Sequence, residues 1–182
     1  HDELIGKNVL STKGAIHYLT KEEIDTHTSY LKDRLANGKE YFLLILGGPT
    51  KHYDYSIENV SNIINLFDAL VKKYDLQGIV VPSMRTPKNI IELSKDRLTK
   101  NSLVIETVDK KAYLSALSLA KYIAVTCDST SMISEAALTG KPIYVADIPA
   151  TKNDQRIQKF RKLFNQLNIT KILNNNLETW HY

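Results

Sequence analysis

One cysteine, five prolines and seven glycines in 182 residues leave no material for a disulfide framework, a proline-rich linker or a glycine-dominated low-complexity tract. Cys127 has no partner within the chain, so a reducing, cytoplasmic compartment is expected. No apolar run approaches bilayer-spanning length, and the longest, such as Tyr41 to Leu46, have the length of strands. No transmembrane segment is therefore expected, and any membrane association would be peripheral. No cleavable signal pattern opens the chain, and a start at His1 without methionine predicts a piece of a longer protein. Charge of one sign is scarce too: 24 basic and 20 acidic residues are interspersed for a net charge of +4, which disfavours nucleic acid as a partner. The five histidines lack metal-ligand spacing and no paired-aspartate motif occurs, so neither a metal nor a cofactor is expected.

What is present is a 43% hydrophobic content, enough for one sizeable core and one globular unit. Short, almost wholly apolar runs at residues 41–46, 79–83, 103–106, 122–126 and 143–147 alternate with segments of helical periodicity. Such runs fit strands covered on both faces, and the alternation predicts a Rossmann-like, doubly wound α/β fold with five or six parallel strands. Ile57, Val60, Ile63, Ile64, Phe67, Leu70, Val71 and Tyr74 recur at helical spacing behind a Ser56 cap. Further helices are predicted from Pro87, over 110–120, over 132–139 with Gly140 and Pro142 as the stop, and over 154–167 with a basic, solvated face. Residues 21–36 read as one helix. Residues 1–38 are taken as a lead segment with that helix, and 39–182 as the Rossmann-like nucleotide-binding domain.

Ligands of open parallel sheets bind beyond the carboxyl ends of the strands, and the unusual residues collect there. Gly47, Gly48, Thr50, Lys51 and His52 follow the first strand, where two glycines permit close backbone approach and the lysine and histidine add donors. Ser83, Arg85 and Thr86 follow the second. Asp128, Ser129, Thr130, Ser131 and Met132 follow the fourth and lead into a helix carrying Glu135, about one turn inside. Small hydroxyl residues at a helix start make an anion site, and a carboxylate one turn on suits paired ribose hydroxyls. Each feature also has a structural reading: serines as caps, Glu135 as a complement to the helix dipole, Arg85 as a sheet-edge cap, and Asp128 as a cap and nothing more. Gly47-Gly48 completes neither a dinucleotide fingerprint nor a Walker loop. His52 has no nucleophile and carboxylate around it to make it a catalytic base, and no catalytic residue is assigned.

Motifs along nearly the whole chain resemble those of the mitochondrial-fission ELM family and its bacterial relatives. They are His1-Asp2, Gly6-x-Asn8-Val9-Leu10 and Gly14-Ala15-Ile16-His17 near the start, then Leu46 to Tyr53 and Arg85-Thr86-Pro87. Val125 to Ala136 with Gly140-Lys141-Pro142 is the longest, and Leu177-Glu178-x-Trp180-x-Tyr182 comes last. Met84 and Lys111-Ala112-Tyr113 depart from the family's usual second arginine and Asn-Pro-Tyr. The resemblance implies the C-terminal domain of a glycosyltransferase-B-like architecture, whose N-terminal domain is absent from this chain. It implies a nucleotide-sugar donor as substrate, an acceptor of unknown kind, Ser129, Thr130 and Ser131 on phosphate, Glu135 on ribose, and Lys51 and Arg85 neutralising pyrophosphate. Two alternatives share that fold, a nucleotide-sugar epimerase and a non-enzymatic interaction factor in mitochondrial division.

Overall fold

The computed structural model describes residues 5–100 and 102–182, so the His1-Asp2 motif lies outside the described residues. Six parallel strands form one sheet: β1 (Tyr41–Leu46), β2 (Gln77–Pro82), β3 (Leu103–Val104), β4 (Ala120–Thr126), β5 (Ile143–Ala146) and β6 (Thr170–Ile172). Their order is β3-β2-β1-β4-β5-β6, all neighbours parallel. This is the doubly wound Rossmann order, and right-handed crossovers put helices on both faces. That explains why β1 reads Tyr-Phe-Leu-Leu-Ile-Leu without alternation: five of its six residues are buried. The strand order reverses between β1 and β4, so the ligand crevice of such a sheet opens where Gly47 and Asp128 emerge.

Helix α2 (Ile57–Lys73) follows the expected periodicity, with the Ser56 hydroxyl accepting from the Asn59 amide. Pro87 is the cap of α3 (Lys88–Arg97) rather than its first residue, because its ψ of 146° is extended. Asp109 caps α4 (Lys110–Leu119) through the Lys111 and Ala112 amides. Helix α5 spans Thr130–Ala137, two residues earlier than its apolar pattern predicts, and Gly140 follows at φ 66°. Helix α6 (Gln155–Gln166) precedes β6, a strand too short to stand out in the sequence.

The expected single helix over 21–36 is broken into α1 (Lys21–Thr26) and a 3-10 turn, Thr28–Arg34. Threonine hydroxyls cause the break by taking helix carbonyls: Thr26 Oγ1 donates to Glu23 O at 2.8 Å and Thr28 Oγ1 to Asp25 O at 2.7 Å. Ile24, Leu31 and Leu35 still join the core, so this stretch packs onto the domain beside α4. No helix of the described residues is long and apolar enough to cross a membrane.

Lys141, after the Gly140 stop, reaches the end of α4, donating to Leu117 O at 2.9 Å and Ser118 O at 2.5 Å. Burial pulls its pKa down to about 8. At Lys141 the unfolded chain therefore holds more proton than the folded one between pH ~8 and ~10.5, so the contribution of this residue to stability should rise as pH climbs through that window, against the opposite contribution of the buried Cys127 thiol. Lys141→Met, which keeps the apolar stem, should lose this rise, as denaturant titrations below and within the window will read.

Candidate functional site

The carboxyl edge of the sheet is tied together by one buried carboxylate. The Asp128 side chain is fully buried while that of its partner Arg85 is 41% exposed, and Arg85 Nη2 meets Asp128 Oδ2 at 2.8 Å. The same oxygen accepts from the Gly48 amide at 3.1 Å, and Asp128 Oδ1 has no hydrogen-bond partner. Arg85 Nη1 also donates to Gly48 O at 2.8 Å. The Gly47 amide donates to Thr126 Oγ1 at 2.8 Å. Thr86 Oγ1 lies 2.6 Å from Gly47 O and 2.9 Å from Leu46 O, and accepts from the Ser83 amide at 2.8 Å. The loops after β1, β2 and β4 thus form one polar unit, in which the Arg85 charge is already matched.

The glycine pair serves this unit. Neither Gly47 nor Gly48 has a positive φ, so left-handed backbone is not the reason for them. A Cβ on Gly47 would stand 2.1 Å from Asp128 Oδ2, and one on Gly48 would stand 2.1 Å from Arg85 O. The close approach expected of these glycines is made to protein atoms. Beyond them, His52 N donates to Thr50 Oγ1 at 3.2 Å, and Thr151 N to His52 O at 2.8 Å, which ties the β1 loop to the loop after β5. Lys51 is exposed.

Ser129 is buried and its hydroxyl accepts from the Met132 amide at 3.4 Å, so it caps α5 and Asp128 does not. Thr130 opens a cavity of about 740 Å³, shared with His52, Arg156, Gln155, Leu10 and Ala15. Ser131 is exposed and Met132 half-buried. Glu135 lies in a second cavity, of about 300 Å³, with His17, Leu19, Lys110, Tyr113 and Leu114. Tyr113 Oη donates to Glu135 Oε2 at 2.7 Å, and burial together with that carboxylate pushes the phenol well above its ordinary pKa.

A strap of the lead segment divides the two cavities. The Ala15 amide donates to Ser134 Oγ at 3.0 Å, and a Cβ on Gly14 would stand 3.0 Å from that oxygen and 3.3 Å from Phe164. Gly14, Ala15 and Ile16 line the larger cavity, and His17, Tyr18 and Leu19 the smaller. The residues singled out in the sequence therefore fall into three places: the Asp128 unit, the larger cavity with His52 and Thr130, and the smaller one with Glu135. His17, Tyr113 and Arg156 were not singled out as site residues. For His17 the one signal in the sequence was its place in the Gly14-Ala15-Ile16-His17 motif. Cys127 offers no nucleophile there, since burial pushes its thiol up to about 12 and Ile148 N donates to its sulfur at 3.3 Å.

A Rickettsia prowazekii protein, the uncharacterized protein RP120, is 27% identical over 97% of this chain and 51% of its own length. The mitochondrial fission protein ELM1 of Arabidopsis thaliana is 26% identical over 96% of this chain and 42% of its own. The chain thus spans about half the length of the curated relatives it matches. Among solved structures, a UDP-GlcNAc 2-epimerase from Neisseria meningitidis, bound to UDP-GlcNAc, is similar at a TM-score of 0.46 and 17% identity. The match covers 79% of this chain and 38% of that one, and at that level bears on neither ligand nor activity. The family model described as mitochondrial fission ELM1 matches residues 1–182, and the chain belongs to that family.

Proposed function

We propose that the carboxyl edge of this domain binds a nucleotide-sugar, as the donor half of a metal-independent, glycosyltransferase-B-like protein that passes the sugar to an acceptor. The observation that carries this reading is the Glu135 carboxylate, one turn inside α5 at the carboxyl end of β4, lining a cavity and without a salt-bridge partner among the described residues. Its Oε2 is taken by Tyr113, which leaves Oε1 and the remaining lone pairs to accept from ribose hydroxyls. The free amides at the start of α5, around Thr130 and Ser131, suit the phosphates. The larger cavity, with His52 and Arg156 on its wall, has room for the sugar, which requires the pyrophosphate to pass over the strap on the side of Thr130 and Ser131. Ser129 supports this only as the cap of α5, and Arg85 by holding the Gly48 loop in place. No catalytic base is assigned, and a second domain facing this edge would supply the rest of the cleft. The protein is proposed to work in the cytoplasm, peripheral at a membrane where the acceptor requires it.

A charged acceptor bonding ribose hydroxyls contributes about 1.5–3 kcal/mol. Glu135→Gln keeps a carbonyl for Tyr113 and removes the charge, so affinity for nucleotide-sugars should fall about tenfold or more while unfolding free energy moves by less than ~1 kcal/mol. Glu135→Ala is a poorer probe, since it strands the Tyr113 hydroxyl. Calorimetric titration with UDP-, GDP-, ADP- and CMP-linked sugars, paired with denaturant unfolding, decides. Unchanged affinity for a ligand that binds the wild type would defeat the ribose assignment.

A second reading is an interaction factor without catalysis, in keeping with the name of the Arabidopsis relative. Leu10, Ile16 and Met84 stand exposed on this same edge and favour it. Absence of binding to every nucleotide-sugar would shift the balance to this reading.

A further inference from the structure

We infer that the lead segment supplies part of the nucleoside site: His17 is a ligand-binding residue that lines the smaller cavity together with Glu135 and contacts the ribose of the bound nucleotide. This rests on the nucleotide-sugar reading above and assigns a part of the site outside α5.

Residues 15–20 are fixed at both ends. The Ala15 amide is bonded to Ser134 Oγ, on the residue next to Glu135, and Thr20 caps α1 by accepting from the Glu23 amide at 3.2 Å. Between these ties the backbone alternates, with Ile16 81% and Tyr18 99% exposed while His17 and Leu19 turn inward. His17 and Leu19 are thereby committed to the cavity that holds Glu135 and Leu114.

Three features of that cavity match a nucleoside. Leu19 and Leu114 give apolar walls for a base, Glu135 gives an acceptor, and His17 gives a ring nitrogen, Nδ1, that is buried and has no hydrogen-bond partner. A buried polar nitrogen without a partner is costly in a folded protein unless something else completes it. The other charged groups at the rim are matched to each other, Lys110 Nζ meeting Glu23 Oε1 at 2.7 Å. Among the described residues, the open valences of the cavity are thus those of Glu135 and His17, which both line it. A vicinal diol offers two hydroxyls that each donate and accept, so one can donate to the carboxylate while the other meets the imidazole in either tautomer. Such a site distinguishes ribose from 2′-deoxyribose, because the deoxy sugar strands a buried polar group.

The test uses this chain with UDP, ADP and GDP, their 2′-deoxy counterparts, and inorganic pyrophosphate, followed by calorimetry and by the NMR signals of the five histidines. The wild type should prefer at least one ribonucleotide over its 2′-deoxy form, and the His17 ring signals should shift on binding. His17→Ala should lower ribonucleotide affinity roughly fivefold to tenfold and erase the preference, and His17→Asn, with a nitrogen near the Nδ1 position, should restore part of both. Ribonucleotide binding in which His17→Ala keeps both affinity and preference overturns the inference and leaves the nucleotide-sugar reading standing. Binding of pyrophosphate alone, with no gain from the nucleoside, also overturns it. No binding of any nucleotide overturns both.

Discussion

Gly48→Ala should cost this protein about 3 kcal/mol or more, beyond the ~1–3 kcal/mol of ordinary overpacking, because the obstacle is backbone. The added methyl would meet Arg85 O at 2.1 Å and Arg85 C at 2.4 Å, and no rotamer change moves either atom. Relief requires the β2 loop to withdraw, and that loop is bound by Arg85 to Asp128 and by Thr86 to Leu46 and Gly47. Against a total stability of about 5–15 kcal/mol, such a loss leaves a large unfolded fraction at physiological temperature. Gly47→Ala meets a side chain instead, Asp128 Oδ2 at 2.1 Å. That carboxylate can swing away only by abandoning Arg85 and the Gly48 amide. The two substitutions should then separate in double-mutant cycles read by denaturant unfolding. Asp128→Ala makes room for Gly47→Ala, so that pair should cost less than the sum of its singles. Arg85→Ala leaves the Arg85 carbonyl in place and only loosens the loop by cutting its tie to Asp128, so it should give Gly48→Ala less relief than Asp128→Ala gives Gly47→Ala. Equal rescue in both cycles would show that the loop yields as a whole and that the glycines are not held by these two contacts.

The fold was legible in the sequence for a physical reason. Strands buried on both faces must be apolar throughout, so β1, β2, β4 and β5 announce themselves, and α2 does so by a long apolar stripe behind its Ser56 cap. What escaped was short or governed by side chains competing for backbone. β6 offers three residues, Thr170–Ile172, in a context where Lys171 interrupts the apolar pattern. The break after Thr26 depends on two threonine hydroxyls choosing carbonyls, which periodicity does not register. At the site, the residues singled out do lie beyond the ends of β1, β2 and β4, but their groupings are not visible in the sequence. Asp128 and Arg85 are 43 residues apart and meet only because β2, β1 and β4 are adjacent. Glu135 and Tyr113, 22 apart, meet because both lie in the first turns of helices, α5 and α4, that begin at that edge. His17 is 118 positions from Glu135, and only the strap's two ties bring it there.

Trp180→Ala should destabilise the protein by about 3–5 kcal/mol, the range for removing a large aromatic from a packed site, yet Trp180→Phe should cost half of that or less. The chain after β6 returns over the sheet to α2, where the Leu177 amide donates to Tyr74 Oη at 3.0 Å and Lys73 Nζ donates to Asn175 O at 2.8 Å. Tyr144 of β5, almost fully buried, holds the Glu178 amide through its hydroxyl at 2.6 Å. The Trp180 ring stands edge-on to Tyr144 with centroids 5.1 Å apart, and Lys171 Nζ lies 4.6 Å above its face. The ring thus covers part of β5 and binds the returning segment to it. Its Nε1, however, is buried without a hydrogen-bond partner. The indole N–H adds nothing that phenylalanine would forfeit and carries a desolvation cost that phenylalanine escapes. Phenylalanine keeps an aromatic edge for Tyr144 and a face for Lys171, giving up only ring volume. For a protein of this size, the alanine loss corresponds to a fall in Tm of roughly 6–20 °C. Trp180 lines neither cavity, so Trp180→Phe should leave nucleotide affinity at the wild-type value. Thermal unfolding of both variants checks the ordering, and an equal fall for Phe and Ala would mean that the indole nitrogen, not the ring's contact with Tyr144, holds the segment in place.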